Sequence, residues 1–125
     1  MQKSKVRNII VVIVGTLFLV ACTSKTIVPV PVASGPVSFS NAVVPIFTKS
    51  CAFNGCHATG FIRPDLTPTH AYNSLISMNL VDTLSPKQSV IYIKISPGGT
   101  MNQYIQNPAD EQIILSWIQQ GAKNN

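Results

Sequence analysis

A short cluster of two cysteines and a histidine, Cys51-Ala-Phe-Asn-Gly-Cys56-His57, is the strongest constraint on how this chain can fold. Residues 37–125 make up one small domain, and domains of this size often need a disulfide, a metal or a cofactor to supplement a small core. Of the three cysteines in the chain, only Cys51 and Cys56 fall within that domain. The cluster that they form with His57 is therefore the candidate cross-link or ligand site.

Residues 1–21 have the pattern of a lipoprotein signal peptide. Three basic residues come first, at Lys3, Lys5 and Arg7. The apolar run that follows, Ile9–Ala21, is shorter than the roughly 20 residues that a membrane-spanning helix needs, and it is typical of an export signal. It ends in Leu19-Val20-Ala21-Cys22, which resembles a bacterial lipobox, so we expect cleavage before Cys22 and lipidation of that cysteine. An uncleaved anchor and cleavage at another site are the alternatives.

In each case the folded domain is expected outside the cytoplasm, anchored to the cell envelope and facing the periplasm or on the outer membrane. Residues 22–36 contain three prolines and end in Ser-Gly-Pro, which is typical of a flexible, extended tether. Removal of the signal peptide leaves six basic residues against four acidic ones, a net charge of +2. Because no Lys/Arg cluster remains, we expect no nucleic-acid partner.

Residues 37–125 are predicted to be all-α, with about four helices. Ser40 caps the first helix, which carries Val43, Val44, Ile46 and Phe47 and which Pro45 shortens or kinks. Thr69 caps a second helix, residues 70–77, and Ser85-Pro86 opens a third that continues to Ile95. The β-branched residues of this third stretch leave a strand as the alternative.

The last helix has the clearest signals and is predicted over residues 108–120. Asn107 is a capping residue, Pro108 stands at the first helical position, and Gly121 ends the helix. Asp110 and Glu111 lie in the first turn, where the helix dipole favours acidic side chains. The apolar residues recur on one face: Ile113, Ile114, Trp117 and Ile118. A long loop, residues 98–107, precedes this helix.

The cysteine–histidine cluster has the arrangement that covalent attachment of a haem requires. The two vinyl groups lie on neighbouring pyrroles, so both sulfurs must come from one short turn, and a histidine directly after the second sulfur can ligate the iron. The usual spacing is C-x-x-C-H, whereas four residues separate Cys51 from Cys56 here. Doubling a loop costs only ~0.6 kcal/mol in closure entropy. Phe53 and Gly55 suit a wider loop against a porphyrin.

Three other interpretations of the cluster stay open at this point. Cys51 and Cys56 could form a disulfide in an oxidising compartment. They could bind zinc with His57, although a zinc site needs four ligands and the others would have to be His70 or Asp65. They could also include a redox-active or catalytic thiol, although no acid or base is patterned around them.

Met101 is the preferred second ligand of a haem iron. It follows Gly98-Gly99-Thr100 in the loop before the last helix, where the glycines let the backbone approach closely. A lone methionine usually fills a core, but its position in this loop argues against that role. His70, at a helix start, is the main alternative ligand, and Met78 is a third.

Several short motifs follow one another through the domain. In order they are Ile46-Phe47, Cys51 to His57, Ala71-Tyr72, Ser89 to Tyr92, Met101, and Trp117-Ile118-Gln-Gln-Gly121-Ala122. With these motifs the domain resembles the small cytochrome c domains of bacterial lipoproteins, especially the Bacteroidetes type. The resemblance implies a class I cytochrome c fold, with the first and last helices crossing and one haem edge partly exposed. It also implies His57 as the proximal ligand and Met101 as the distal ligand.

The sequence departs from this family at one important position, because the Met-Pro of the family is Met101-Asn102 here. Loss of the rigid proline is expected to loosen the loop that carries the methionine. The leucine of the family's Ser-x-Leu-Tyr motif is Ile91, which is a mild change.

The expected function is one-electron transfer by a single, covalently attached haem c in a lipid-anchored protein that is not an enzyme. The partners would be an unidentified redox protein and, through Cys22, a membrane. A small haem peroxidase is one alternative, and it would need an open iron position with His70 in reach. A haem-free lipoprotein cross-linked by a disulfide is the other.

Overall fold

Four α-helices, joined by turns and loops, build residues 35–125, the part of the chain that the computed structural model describes. They are α1 (Val44–Ser50), α2 (Ala71–Ser77), α3 (Val90–Ile95) and α4 (Pro108–Gln119). Within these residues there is no β-strand, so the predicted all-α class is confirmed and the strand alternative for the third stretch is wrong. None of the helices in this range is long and apolar enough to cross a membrane.

The signal peptide predicted for residues 1–21, the predicted lipidation site Cys22 and the tether up to residue 34 lie outside the described residues. The description begins at Gly35, the last residue but one of the predicted tether.

The first helical segment begins with a π-helical turn, Phe39–Val43, that leads directly into α1. Its N-cap is Ser38, whose hydroxyl accepts a hydrogen bond from the Asn41 N–H, so the prediction of Ser40 as the cap was wrong. Pro45 lies in the first turn of α1. Proline has no N–H to donate, so the backbone hydrogen bond from residue 45 is absent. The chain changes from π-helical to α-helical hydrogen bonding at this point.

The second and third helices begin later than their sequence signals indicated. Thr69 does not cap α2: its hydroxyl contacts the His70 ring, and the helix starts at Ala71. Pro86 opens a separate 3₁₀ turn, Pro86–Gln88, before α3. The buried Ser89 hydroxyl, which accepts from the Asp82 N–H at 2.8 Å, secures this entry to α3.

The last helix agrees with its prediction to within one residue. The Asn107 side chain accepts a hydrogen bond from the Ala109 N–H at 3.0 Å, and Pro108 is the first helical residue. Beyond the helix, Gly121 adopts a φ of +92°, a conformation that glycine takes without steric cost. The Ala122 N–H then reaches back to the Trp117 carbonyl at 3.0 Å and closes the helix end.

The core lies between the π-helical turn and all four α-helices. Phe39 packs against Trp117 with ring centroids 4.9 Å apart and meets Tyr72 edge-on at 5.4 Å. At the other end of the first segment, Lys49 forms an ion pair with the buried Asp110 at 3.0 Å. Since residue 39 lies near residue 117 and residue 49 near residue 110, the two segments run in opposite directions along each other.

Candidate functional site

An open cleft of about 510 Å³ lies between the loop that follows α1 on one side and α3 with the loop after it on the other. Its size falls within the roughly 300–1,000 Å³ that is usual for ligand pockets. All four residues that the sequence predicted as cofactor-binding line this one cleft: Cys51, Cys56, His57 and Met101. Most of the other lining side chains are apolar: Phe53, Ile62, Pro64, Leu66, Leu80, Val90, Ile91, Ile95 and Tyr104.

The cysteines are brought together by a tight turn at the end of α1. The Cys56 N–H donates to the Phe53 carbonyl at 2.9 Å, and the His57 N–H donates to the Cys51 carbonyl at 3.1 Å. Gly55, within the turn, has a φ of +84° that a residue with a side chain rarely adopts. The six-residue spacing from Cys51 to His57 therefore closes on itself and presents both sulfurs and the imidazole to the same cleft.

Cys51 and Cys56 are free thiols among the described residues. Burial, with a smaller contribution from the nearby Cys56, raises the pKa of the Cys51 thiol from 9.0 to about 11. A raised pKa keeps Cys51 protonated at neutral pH, whereas a reactive thiol needs a lowered pKa. The raised pKa of Cys51 therefore does not favour it as a nucleophile.

The imidazole of His57 is oriented by the backbone. Its Nδ1 lies 3.0 Å from the Pro64 carbonyl and 3.2 Å from the Ile62 carbonyl. Both partners are acceptors, so Nδ1 carries the proton and donates, which leaves Nε2 with its lone pair. Histidines that ligate metals typically have one ring N–H bonded to a carbonyl or carboxylate in this way.

The loop that supplies these carbonyls is fixed by hydrogen bonds at both ends. The Leu66 N–H donates to the His57 carbonyl at 2.8 Å, and the Leu66 side chain is buried. Next to it, Asp65 accepts hydrogen bonds from the Thr67 N–H, the Thr67 hydroxyl and the Thr59 hydroxyl. These bonds lower the pKa of Asp65 from 3.8 to about 2, and the bond from the Thr67 hydroxyl has the largest effect. Asp65 therefore has a structural role in the loop.

Met101 reaches the cleft from the opposite wall. Its N–H donates to the Lys94 carbonyl at 2.8 Å, which attaches the loop to the last turn of α3. The side chain is 36% exposed, so Met101 does not fill the core. Its thioether is a soft ligand for a metal or a flexible apolar contact for a ligand.

The cleft also has polar features that the sequence reasoning missed. Arg63 and Lys94 are the charged residues of its lining, which contains no Asp or Glu. Ser50, another lining residue, has a buried hydroxyl with no hydrogen-bond partner among the described residues. Such a buried, unpaired hydroxyl needs a water or a ligand group to satisfy it. Only the position of Ser50 directly before Cys51 could have indicated its involvement.

The two alternative iron ligands lie elsewhere. His70 is outside the lining of the cleft, and its Nδ1 contacts the Thr67 and Thr69 hydroxyls and lies 3.6 Å from Asp65. Met78 ends α2 and also does not line the cleft. Within residues 35–125 no three His, Cys, Asp or Glu side chains group as a metal site, so the zinc interpretation receives no support.

Comparison with known proteins adds no information about this site. No protein-family model matches the chain, and neither a curated protein nor a solved structure matches it significantly. The function is therefore inferred from the residues of the chain and their arrangement.

Proposed function

We propose that this domain binds one haem c covalently, through Cys51 and Cys56, and functions as an electron carrier. One observation carries the proposal: both cysteines, His57 and Met101 line the same apolar cleft, although Met101 is far from the others in sequence. A chance methionine in a surface loop has no reason to meet the cysteine–histidine turn. The pairing fits the thioether-and-imidazole ligation known for c-type haem.

The donor set of the cleft suits a haem in three respects. His57 has its Nδ1 occupied by backbone carbonyls, so Nε2 is available to ligate iron. Met101 is exposed on the opposite wall and offers a second, softer ligand. The walls between them are apolar, as the faces of a porphyrin require.

The charges of the cleft are also suitable. A haem carries two propionate groups, and Arg63 and Lys94 provide two positive charges in a lining without acidic residues. The unpaired Ser50 hydroxyl is a further polar group beside the cleft. An uncharged, purely apolar ligand would leave these three side chains without a role.

When bound, the haem would supply an iron that alternates between the ferric and ferrous states. His57 and Met101 would ligate that iron, and the apolar side chains that line the cleft would exclude water from it. Ligation by methionine and histidine gives a higher reduction potential than ligation by two histidines. Cys22, if lipidated, would hold the carrier at the cell envelope, where its partner would be another redox protein.

Electron transfer is favoured over peroxide turnover by the position of His70. A peroxidase would need this side chain, the one distal acid–base group that the sequence offered, within reach of the iron. His70 does not line the cleft and is engaged by Thr67, Thr69 and Asp65. The haem-free, disulfide-linked alternative leaves the position of Met101 and the orientation of His57 unexplained.

The proposal is tested by producing the full chain in a bacterial host that has a haem c maturation system. We expect a coloured protein whose haem stays with the polypeptide on a denaturing gel, because thioether bonds survive denaturation. The double variant C51S/C56S should lose that haem, and His57→Ala should give a high-spin or unstable product. Met101→Ala should keep the haem but lose the methionine–iron charge-transfer band.

Cys22→Ser is the matched control, since it removes the remaining cysteine of the chain and should leave the haem spectrum unchanged. The proposal is wrong if the exported wild-type chain is colourless, with Cys51 and Cys56 free or joined to each other.

A further inference from the structure

We propose that Asn102 is the positioning residue for Met101, and that its side-chain amide holds the loop of residues 96–105 against the end of α3, where Met101 lines the cleft. This inference rests on the proposed function, since it concerns how Met101 is presented to a haem iron. It comes from a hydrogen bond between the Asn102 side chain and α3.

The Asn102 amide binds the C-terminal end of α3. Its Nδ2 donates to the Ile95 carbonyl at 2.6 Å in a partly buried contact. The last carbonyls of a helix have no partner within the helix, so the Ile95 carbonyl is free to accept a hydrogen bond from another part of the chain. The neighbouring carbonyl, that of Lys94, accepts from the Met101 N–H at 2.8 Å. Residues 101 and 102 are thus attached to two successive carbonyls of α3.

These two bonds restrict the backbone on both sides of the Met101 side chain. The loop is further fixed by the Asn102 N–H, which donates to the Gly99 carbonyl at 3.1 Å. Gly99 in turn lies so close to α3 that a Cβ atom would overlap the backbone of Ile93 and Lys94. The only side chain that makes a hydrogen bond in this set of contacts is that of Asn102, so a single substitution removes that bond.

Asn102 therefore replaces, by a different mechanism, the rigidity that a proline would give at this position. A proline restricts the backbone covalently but has neither an N–H nor a side-chain donor. Asparagine leaves the backbone free in principle and restricts it through two hydrogen bonds, one from its N–H and one from its amide. The expectation that the loop is loosened by the departure from Met-Pro is thus offset by the contacts of Asn102.

The test is a titration of the ferric holoprotein with imidazole, which competes with Met101 for the iron. Loss of the hydrogen bond from the Asn102 amide to the Ile95 carbonyl raises the fraction of molecules in which the loop has left α3. The apparent affinity for imidazole rises in proportion to that fraction. For Asn102→Ala and for Asn102→Asp, whose carboxylate cannot donate, we expect about fivefold tighter imidazole binding, the factor that corresponds to one net hydrogen bond. Gln103→Ala, an exposed change in the 3₁₀ turn Asn102–Tyr104, should leave the affinity unchanged.

Amide hydrogen exchange of the same proteins separates a local effect from general destabilisation. The Met101 N–H should exchange about fivefold faster in Asn102→Ala, because its loop opens more often. The Ile118 N–H, in the last turn of α4 and on a fully buried residue, should exchange at the wild-type rate.

The inference is overturned if both Asn102 variants bind imidazole as the wild type does while Met101→Ala binds it more tightly. It is equally overturned if the Met101 and Ile118 amides accelerate together, since Asn102 would then stabilise the domain as a whole. Failure of the proposed function gives a different result: a wild-type chain without haem, or a Met101→Ala variant with wild-type imidazole affinity.

Discussion

Cys51 and His57 show how the backbone prepares single residues of the cleft. The ring of His57 is held by the carbonyls of Ile62 and Pro64, which no side-chain substitution removes directly and which do not titrate. Cys51 is placed at the end of α1, where partial burial keeps its thiol neutral. The orientation of the histidine ring is therefore set by the backbone alone, whereas the cysteine becomes reactive only in alkaline solution.

The raised pKa of Cys51 predicts a pH dependence for the reduced, haem-free protein. In the Cys22→Ser background, alkylation of Cys51 should be slow at pH 8 and should rise towards pH 11, since the thiolate is the reacting form. The folded-state pKa lies above the unfolded value of 9.0, so the associated stability is complete below pH 9 and is lost as the pH rises to about 11. Urea unfolding at several pH values measures this decline.

Cys51→Ser is the control for that decline, because it should remove the part that lies between pH 9 and pH 11. Rapid and complete alkylation of Cys51 at pH 8, read by peptide mass, would show that its thiol is not buried as described.

At the scale of helices, local signals were enough for α4 and insufficient elsewhere. Asn107, Pro108 and Gly121 act on their nearest neighbours in sequence, so the bounds of α4 could be predicted. Ser38 was missed as a cap because the choice between it and Ser40 depends on the π-helical turn that follows. For α3 a helix was predicted, but the β-branched residues left a strand as the alternative, and contacts with the rest of the fold decide between them.

At the candidate site too, features that are local in sequence could be predicted, whereas contacts between distant segments could not. The turn from Cys51 to His57 could be recognised because its residues are close in sequence. The carbonyls that orient His57 and the α3 carbonyl that receives Asn102 could not, because each belongs to a contact that only the folded chain creates. Met101 was predicted as an iron ligand from its loop and from the family resemblance, and that role stays a prediction; its side chain lines the cleft.

Gly99 gives a prediction for the loop as an element. In Gly99→Ala the new methyl group would overlap the backbone of Ile93 and Lys94, which cannot rotate away, so the loop must move off α3. We expect a loss of about 1–3 kcal/mol in the free energy of unfolding, typical of forced overpacking, and weaker ligation by Met101. Urea unfolding and the charge-transfer band measure the two effects.

Gly35→Ala is the matched control, because no atom lies within 4 Å of its added methyl group. A Gly99→Ala protein with the stability and spectrum of this control would mean that the loop does not lie against α3.

At the scale of the whole molecule, the two halves of the domain differ in how they are held. The half around Phe39 and Trp117 is closed by aromatic packing, by the Lys49–Asp110 ion pair and by hydrogen bonds from residues 38–40 to Asn125. The half around the cleft exposes large apolar side chains: Phe53, Ile62, Val90, Met101 and Tyr104. A continuous apolar surface on a small protein indicates that a ligand or a partner covers it.

This asymmetry predicts how the domain responds when the haem is absent. In the C51S/C56S variant, amide hydrogen exchange should accelerate strongly in residues 51–66 and 96–105, which wall the cleft and would lose the contacts of the bound group. Residues of α4 and of the π-helical turn should keep most of their protection, because their core is built from the chain itself. Hydrogen exchange followed by mass spectrometry compares the same peptides in the wild type and in the variant.

Both proteins should carry Cys22→Ser, so that the sole difference is the pair of cysteines in the cleft. An equal loss of protection in α4 would mean that the haem holds the entire domain together, as it does where a core is too small to fold alone. Unchanged protection everywhere would mean that the cleft is rigid without a ligand. Only loss confined to the cleft fits a domain in which the aromatic half folds independently and the cofactor completes the other half.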